Sequence, residues 1–403
     1  MTAPEEPQAH GLIGRRSLLL GGAAAAAGVG AAYAWQNWQS EPEDAVGGAT
    51  VSFHGQRQAG VATPAQAHLT LIAFDLREGV DREALSRLMQ IWTIDAARLT
   101  AGKPGLVDTE PELAHVPASL TLTVGLGPGF FTAADREADR PAWLEPLPAF
   151  GIDRLETQWT GGDLVLQVCA NDPITVAHAA RVMSKEARSF TTIRWVQHGF
   201  RHSPGSTPPG TTMRNLFGQI DGTVNPDPRE EEDLIWHPDG TEPAWMAGAT
   251  SMVVRRIAMD MDGWDEAGRH AREVSIGRRL SDGAPLTGEH EHDDPDFDAI
   301  GPHGFPVIET FSHIRRARSD NPNERFLRRS YNYDQPAPPG EVSDSGMVFI
   351  TFQADPVAQF VPIQQRLDEL DLLNEWTVPI GSAVFLIPPG AAQGEYMCQR
   401  LLT

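Results

Sequence analysis

Leu69-Thr70-Leu71-Ile72-Ala73-Phe74-Asp75-Leu76 is an apolar run broken only by Thr70 and Asp75, and it reads as a buried strand leading to a helix that begins near Asp81. A second strand is expected at residues 120–124, ending in Gly125-Leu126-Gly127-Pro128-Gly129. A third, at residues 164–169, leads through Asn171-Asp172-Pro173 into a helix near residues 176–185. The same landmarks then recur. Phe74-Asp75-Leu76 has a counterpart 185 positions later in Met259-Asp260-Met261, and Asn171-Asp172-Pro173 has one 183 positions later in Ala354-Asp355-Pro356. Either match alone is a common strand-to-helix turn. Two matches at nearly one offset predict a duplicated α+β unit of β-α-β-β-α-β type, with antiparallel strands and helices packed on one face. Gly- and Pro-rich segments at 203–210 and 335–340, with acidic residues 230–233, read as surface loops.

Outward from this unit, the chain has 403 residues, 41% hydrophobic and 21% charged, enough to bury a sizeable core. Its formal net charge of −22 argues against nucleic acid or an anionic membrane as the main partner, because phosphate recognition needs clustered Lys and Arg. A small or cationic substrate fits better. Cys169 and Cys398 have no C-x-x-C neighbour and are expected to stay unpaired. That suits a protein that folds in a reducing compartment before export.

The N-terminus supports export. Arg15 and Arg16 precede an uncharged run from Ser17 to Ser40 rich in Ala, Gly and Leu, and Ala32-Tyr33-Ala34 offers a small-x-small cleavage site. The pattern is similar to a twin-arginine signal, whose translocase carries already folded proteins. A chance Arg pair before a retained anchor is the plainer alternative, although the run is weakly apolar for a membrane span.

Three segments carry candidate chemistry. In Phe217-Gly218-Gln219-Ile220-Asp221-Gly222-Thr223-Val224-Asn225-Pro226, two glycines bracket an aspartate. This is either a plain Asp-Gly turn or a carboxylate set at the edge of a cavity beside a flat ligand. In Phe311-Ser312-His313-Ile314-Arg315-Arg316-Ala317-Arg318, a histidine stands among arginines that could pair haem propionates, and neutral imidazole is a usual ligand of haem iron. Phe326-Leu327-Arg328-Arg329-Ser330-Tyr331-Asn332-Tyr333 follows. His290, His292, Asp293, Asp294, Asp296 and Asp298 have metal-like composition without ligand spacing, and read as a solvated acidic loop.

With these residues in view, the sequence resembles the dye-decolorizing peroxidase family, in particular its exported, deferrochelatase-like branch, from about residue 60 to the C-terminus. The matching segments are Gly218/Asp221/Gly222, His313-Ile314-Arg315 and Leu327-Arg328-Arg329. Two more are Ile276-Gly277-Arg278 with Gly283-Ala284-Pro285-Leu286-Thr287-Gly288, and Gly381-Ser382-Ala383 with Pro388-Pro389-Gly390. One such motif is weak; five in order are specific. The chain departs from the family after His313-Ile314-Arg315, where it has Arg316-Ala317-Arg318-Ser319-Asp320-Asn321-Pro322 instead of x-A-N-P-R.

The resemblance implies two ferredoxin-like halves enclosing one haem b, with a signal peptide at 1–34, a polar linker at 35–63, and domains at 64–210 and 211–403, the second carrying most of the haem site. It implies His313 as the iron's axial ligand, Asp221 as distal acid/base and Arg328, rather than Arg329, as distal arginine. Arg278, Arg315, Gly222, Thr223 and Val224 would contact haem. Apart from the resemblance, an acceptor for the other nitrogen of His313 is expected, since it makes the imidazole more basic, and Asp371 is the candidate. The implied partners are hydrogen peroxide and an electron donor, reacting by way of a ferryl intermediate, and the twin-arginine translocase. The membrane would be met only during export, and the protein would work outside the cytoplasm. An aspartate beside a guanidinium favours activity at low pH. Tyr331, Tyr333 and Trp376 are candidate surface relays for bulky donors. Two other functions stay open at this stage: release of iron from haem with the porphyrin left intact, and non-catalytic haem carriage.

Overall fold

Aspartates set where the first helices begin. In the computed structural model, which describes residues 46–241 and 243–403, Asp81 accepts a hydrogen bond from Ala84 N at 2.9 Å and opens α1 (Arg82–Thr100). Asp172 does the same for Thr175 N at 2.8 Å at the head of α2 (Pro173–Ala187), where Pro173 needs no hydrogen-bond partner. The counterpart Asp355 accepts from Val357 N and Ala358 N ahead of α6 (Phe360–Leu370). The recurring Asp-Pro landmark is therefore a recurring strand-to-helix turn.

The first repeat contains β1 (His68–Leu76), α1, β2 (Thr121–Leu126), β3 (Leu164–Ala170), α2 and β4 (Thr191–Phe200). The second has β5 (Thr250–Met259), then three short helices, α3 (Met261–Glu266), α4 (Arg269–Ile276) and α5 (His313–Ala317). It continues with β6 (Leu327–Arg328), β7 (Tyr331–Gln335), β8 (Asp344–Gln353), α6 and β9 (Thr377–Ile387). Strand order is β2-β3-β1-β4 in the first repeat and β7-β8-β5-β9 in the second, all antiparallel. Each is the ferredoxin-like order, with the first strand between the last and the third.

The two sheets close on each other. Leu126 pairs with Leu386 at the β2–β9 edge, and Phe200 pairs with Asn332 at the β4–β7 edge. Side chains alternate along each strand. Leu69, Leu71 and Ala73 of β1 pack inside the ring with Tyr331, Tyr333, Ile350, Phe352 and Phe385, while Ile72 and Phe74 face outward to Leu85, Leu88 and Trp92 of α1. At the β4–β7 seam a β-carbon on Gly199 would come within 2.7 Å of Tyr331 Cβ, so the close approach needs glycine. One compact unit, Val46–Thr403, contains both repeats.

The expected signal peptide, residues 1–34, and the first part of the expected linker lie outside the described residues. From residue 46 the segment read as a polar linker is packed: Phe53 and Val61 are buried, and Gln58 exchanges hydrogen bonds with Val124 N and O at 2.8 and 2.9 Å. Its polar composition concealed that its amide serves the backbone of β2. Among the described residues no helix is long and apolar enough to cross a membrane.

Candidate active site

Asp221 sits on a small hairpin closed by Asn215 N to Gln219 O at 3.0 Å and Asp221 N to Met213 O at 2.8 Å. Phe217 anchors the hairpin by stacking on buried Trp264, with ring centroids 4.4 Å apart. Gly222, at φ +120°, turns the chain away directly after the aspartate, in a backbone region closed to other residues. The carboxylate accepts from Arg328 Nη1 through Oδ1 at 3.1 Å, and from Asn215 Nδ2 through Oδ2 at 3.5 Å, a far weaker contact.

Strand alternation separates the two arginines. Arg328 reaches Asp221, whereas Arg329 turns into the ring, where it is 3% exposed and donates to the Thr63 carbonyl and Gln66 Oε1. Asn225 fixes the backbone of Arg328 from both sides, accepting from its N–H at 2.9 Å and donating to its carbonyl at 2.8 Å. The hairpin bearing Asp221 and the strand bearing Arg328 are thus held together at two points.

His313 is the first residue of α5, whose entry is tied to α4 by Ser312 Oγ donating to Val274 O at 2.6 Å. Its Nδ1 meets Asp371 Oδ2 at 2.6 Å. Asp371, 6% exposed, follows the last residue of α6, and its other oxygen accepts from Leu373 N at 3.0 Å. With Nδ1 donating to the carboxylate, Nε2 carries the free lone pair. Burial works against a charged imidazole, but the Asp371 charge and hydrogen bond outweigh it, with Asp221 adding and Arg328 opposing. The ring's pKa therefore lies above the ordinary histidine value, and both members of the Asp221–Arg328 pair act on His313 electrostatically.

The other expected cofactor contacts are engaged with the protein itself. Arg278 Nη1 donates to the Gly283 and Glu291 carbonyls, both at 2.7 Å, and burial lowers its pKa, opposed by Glu291. Arg315 Nη1 donates to the Phe297 carbonyl at 2.7 Å and the Ile308 carbonyl at 3.1 Å. Arg316 pairs with Glu369 at 3.0 Å, and Arg318 with Asp294 at 3.3 Å. The arginines around His313 therefore bind loops and α6, since a five-residue helix spreads neighbouring side chains to different sides. Thr223 Oγ1 and Thr212 Oγ1 both donate to Glu291 Oε1, at 3.0 and 2.6 Å, and Val224 is exposed.

Tyr331 and Tyr333, expected as surface relays, are buried inside the ring because both occupy the inward face of β7. Trp376 is partly exposed and meets Trp264 edge-on at 5.2 Å. The His290–Asp298 carboxylates shape their own loop: Asp293 accepts from Glu289 N and His290 N, and Asp296 from Asp298 N and Ala299 N. Cys169 and Cys398 are unpaired and buried. Sequence reading missed Asn225, although it lies within the quoted Asp221 segment, and Glu291, whose partners are distant in the chain.

The comparisons with known proteins point to one family. The family models for the Dyp-type peroxidase N-terminal and C-terminal regions match residues 58–201 and 212–392. The chain is 38% identical over 359 residues to a dye-decolorizing peroxidase of Thermobifida fusca, covering 86% of this chain and 83% of that protein. It is 33% identical over 370 residues to a deferrochelatase of Escherichia coli, covering 87% and 86%. Among solved structures, a DyP-type peroxidase from Cellulomonas bogoriensis superposes with a TM-score of 0.87 at 58% identity, covering 89% of this chain and 99% of that one. Ferric DtpA from Streptomyces lividans gives 0.86 at 40% identity, covering 90% and 100%. Matched by both family models and by relatives well above 30% identity along most of its length, the chain belongs to the Dyp-type peroxidase family.

Proposed function

We propose that this haem peroxidase holds its iron through His313 Nε2 and handles peroxide with Asp221 and Arg328. The donor set fits haem: an imidazole fixed through Nδ1 by a buried carboxylate presents Nε2, and the charges of an acid–guanidinium pair reach that imidazole. Gly222, Thr223, Val224, Arg278 and Arg315 would help hold the cofactor, the two arginines through the loops they bind. Bound haem supplies the redox centre through which peroxide is reduced and a donor oxidised. Asp221 takes a proton from one peroxide oxygen and returns it to the other, and Oδ2 is the oxygen for this because Oδ1 is held by Arg328. The Arg328 guanidinium stabilises negative charge on the departing oxygen.

The observation that carries this reading is the 3.1 Å Arg328–Asp221 contact, for which a mere haem carrier has no use. Stopped-flow absorbance of the haem-loaded protein with peroxide tests it. Asp221→Ala and Arg328→Ala are expected to slow the reaction by about 10²-fold or more, and His313→Ala to change the resting haem spectrum. Distal variants reacting like wild type would remove these roles. Similarity to deferrochelatases supports a second reading, iron release from haem. Iron-free porphyrin fluorescence on incubation with haem would favour it. We also propose export by the twin-arginine pathway to the envelope or exterior, supported by Arg15-Arg16 and the run that follows. Replacing both arginines by lysine should leave the protein in the cytoplasmic fraction.

A further inference from the structure

Arg201 follows directly after β4, its backbone N–H donating to Ala67 O at 2.8 Å. Its guanidinium lies 5.6 Å from the Tyr331 ring, and Nε contacts Met213 Sδ at 3.1 Å, a weak acceptor. The terminal nitrogens have no hydrogen-bond or carboxylate partner among the described residues. Burial depresses its pKa, with Tyr331 and Asp221 opposing and the like-charged Arg329 adding to the cost. Such a group is stabilised by an incoming anion.

It faces a cavity of about 450 Å³ that also reaches Asp221 and Arg328, with Asn171, His202 and Ser330 among its walls. Asp221 is the one carboxylate among the described lining residues, and it is already paired with Arg328. Arg201 thus has no hydrogen-bonded carboxylate of its own at this half-buried position, and the Asp221 charge acts on it without contact, in a protein of net charge −22. The cavity's size suits a small organic molecule rather than a bulky dye.

We propose that this cavity is a donor site for small aromatic carboxylates, with Arg201 binding the carboxylate and the oxidisable hydroxyl end lying towards Asp221 and Arg328. It rests on the peroxidase reading of that pair. For each peroxide reduced to two waters, two phenolic donors each give up one electron and one proton. Arg201 recognises the donor and takes no part in proton transfer.

The test compares 4-hydroxybenzoate with its neutral methyl ester as donors for the haem-loaded full chain, in wild type, Arg201→Gln and Arg201→Lys. In Arg201→Gln the ratio of KM for the acid to KM for the ester should rise roughly tenfold or more, the scale of a lost charge-assisted hydrogen bond. Arg201→Lys, which keeps the charge and loses the planar fork, should fall between. Benzoate, which lacks the hydroxyl, gives a readout free of turnover: calorimetric titration should show binding to resting wild type and its loss in Arg201→Gln. An unchanged KM ratio, or benzoate binding that survives the substitution, overturns the proposal. Loss of haem from Arg201→Gln also overturns it, since Arg201 would then serve the cofactor. If wild type reacts with peroxide in stopped flow but oxidises neither donor, the donor role of the cavity is overturned, whereas no reaction with peroxide means that the roles given to Asp221 and Arg328 fail; in both cases the benzoate titration still decides whether Arg201 is an anion site.

Discussion

Arg328 and Arg329 adjoin in sequence and diverge in space, one at the Asp221 carboxylate and the other inside the ring. Which arginine would face the site was open to sequence reading through the family motif, but the reason lies in the strand's two-residue period. His313 and Asp371, 58 positions apart, meet at 2.6 Å. Asp371 was the expected acceptor for His313, yet nothing local in the chain signals that pair, or the Asn225 clamp on Arg328, because each needs two distant segments brought together. The His313–Asp371 contact carries a definite expectation. Asp371→Asn keeps an acceptor but removes the charge, which leaves the imidazole less basic and a poorer iron ligand. Haem affinity should fall by about 10- to 100-fold, the usual effect of losing a partner behind a metal ligand. Titrating haem into the haem-free variant and following the absorbance checks this. Unchanged affinity would mean that Asp371 only orients the ring.

At the scale of elements, apolar runs and Asp-Pro turns located β1, β2, β3 and the two long helices, since both signals are local. The short helices α3 to α5 left no such trace, as 5 to 8 residues are too few to show a period. Helix α2 carries a further feature that no pattern exposes. Glu186 near its C-terminal end has its pKa pushed up to about 9, by burial first and then by the hydrogen bond and charge of Asp95. Its Oε2 is buried without a partner. A raised folded-state pKa means that the stabilising contribution is fully present below about 4.5, the ordinary glutamate value, and is lost as pH rises through about 9. Across that window the native state holds a proton that the unfolded chain has released. Glu186→Gln should therefore flatten the decline of unfolding temperature between pH 5 and pH 9. Thermal unfolding of both haem-free proteins across that range measures it, and parallel curves would show that Glu186 titrates normally.

For the whole molecule, duplication was legible, while the closure of the two repeats into one ring was not. Closure rests on single residue pairs, Leu126 with Leu386 and Phe200 with Asn332, and on the interior that both sheets fill together. Because Leu71 and Ala73 from one repeat pack in the same cluster as Phe352 and Phe385 from the other, neither sheet can bury its inner face alone. The ring should consequently unfold as a unit. Gly199→Val tests this at the seam, where the new β-carbon would meet Tyr331 Cβ at 2.7 Å. Overpacking of this kind costs roughly 1–3 kcal/mol. If the repeats share one core, denaturant unfolding of the haem-free protein should stay a single transition and shift as a whole to lower denaturant, with fluorescence and circular dichroism moving together. If the substitution instead splits unfolding into two steps, the halves are independent, and the interior cluster contributes less to cohesion than its burial implies.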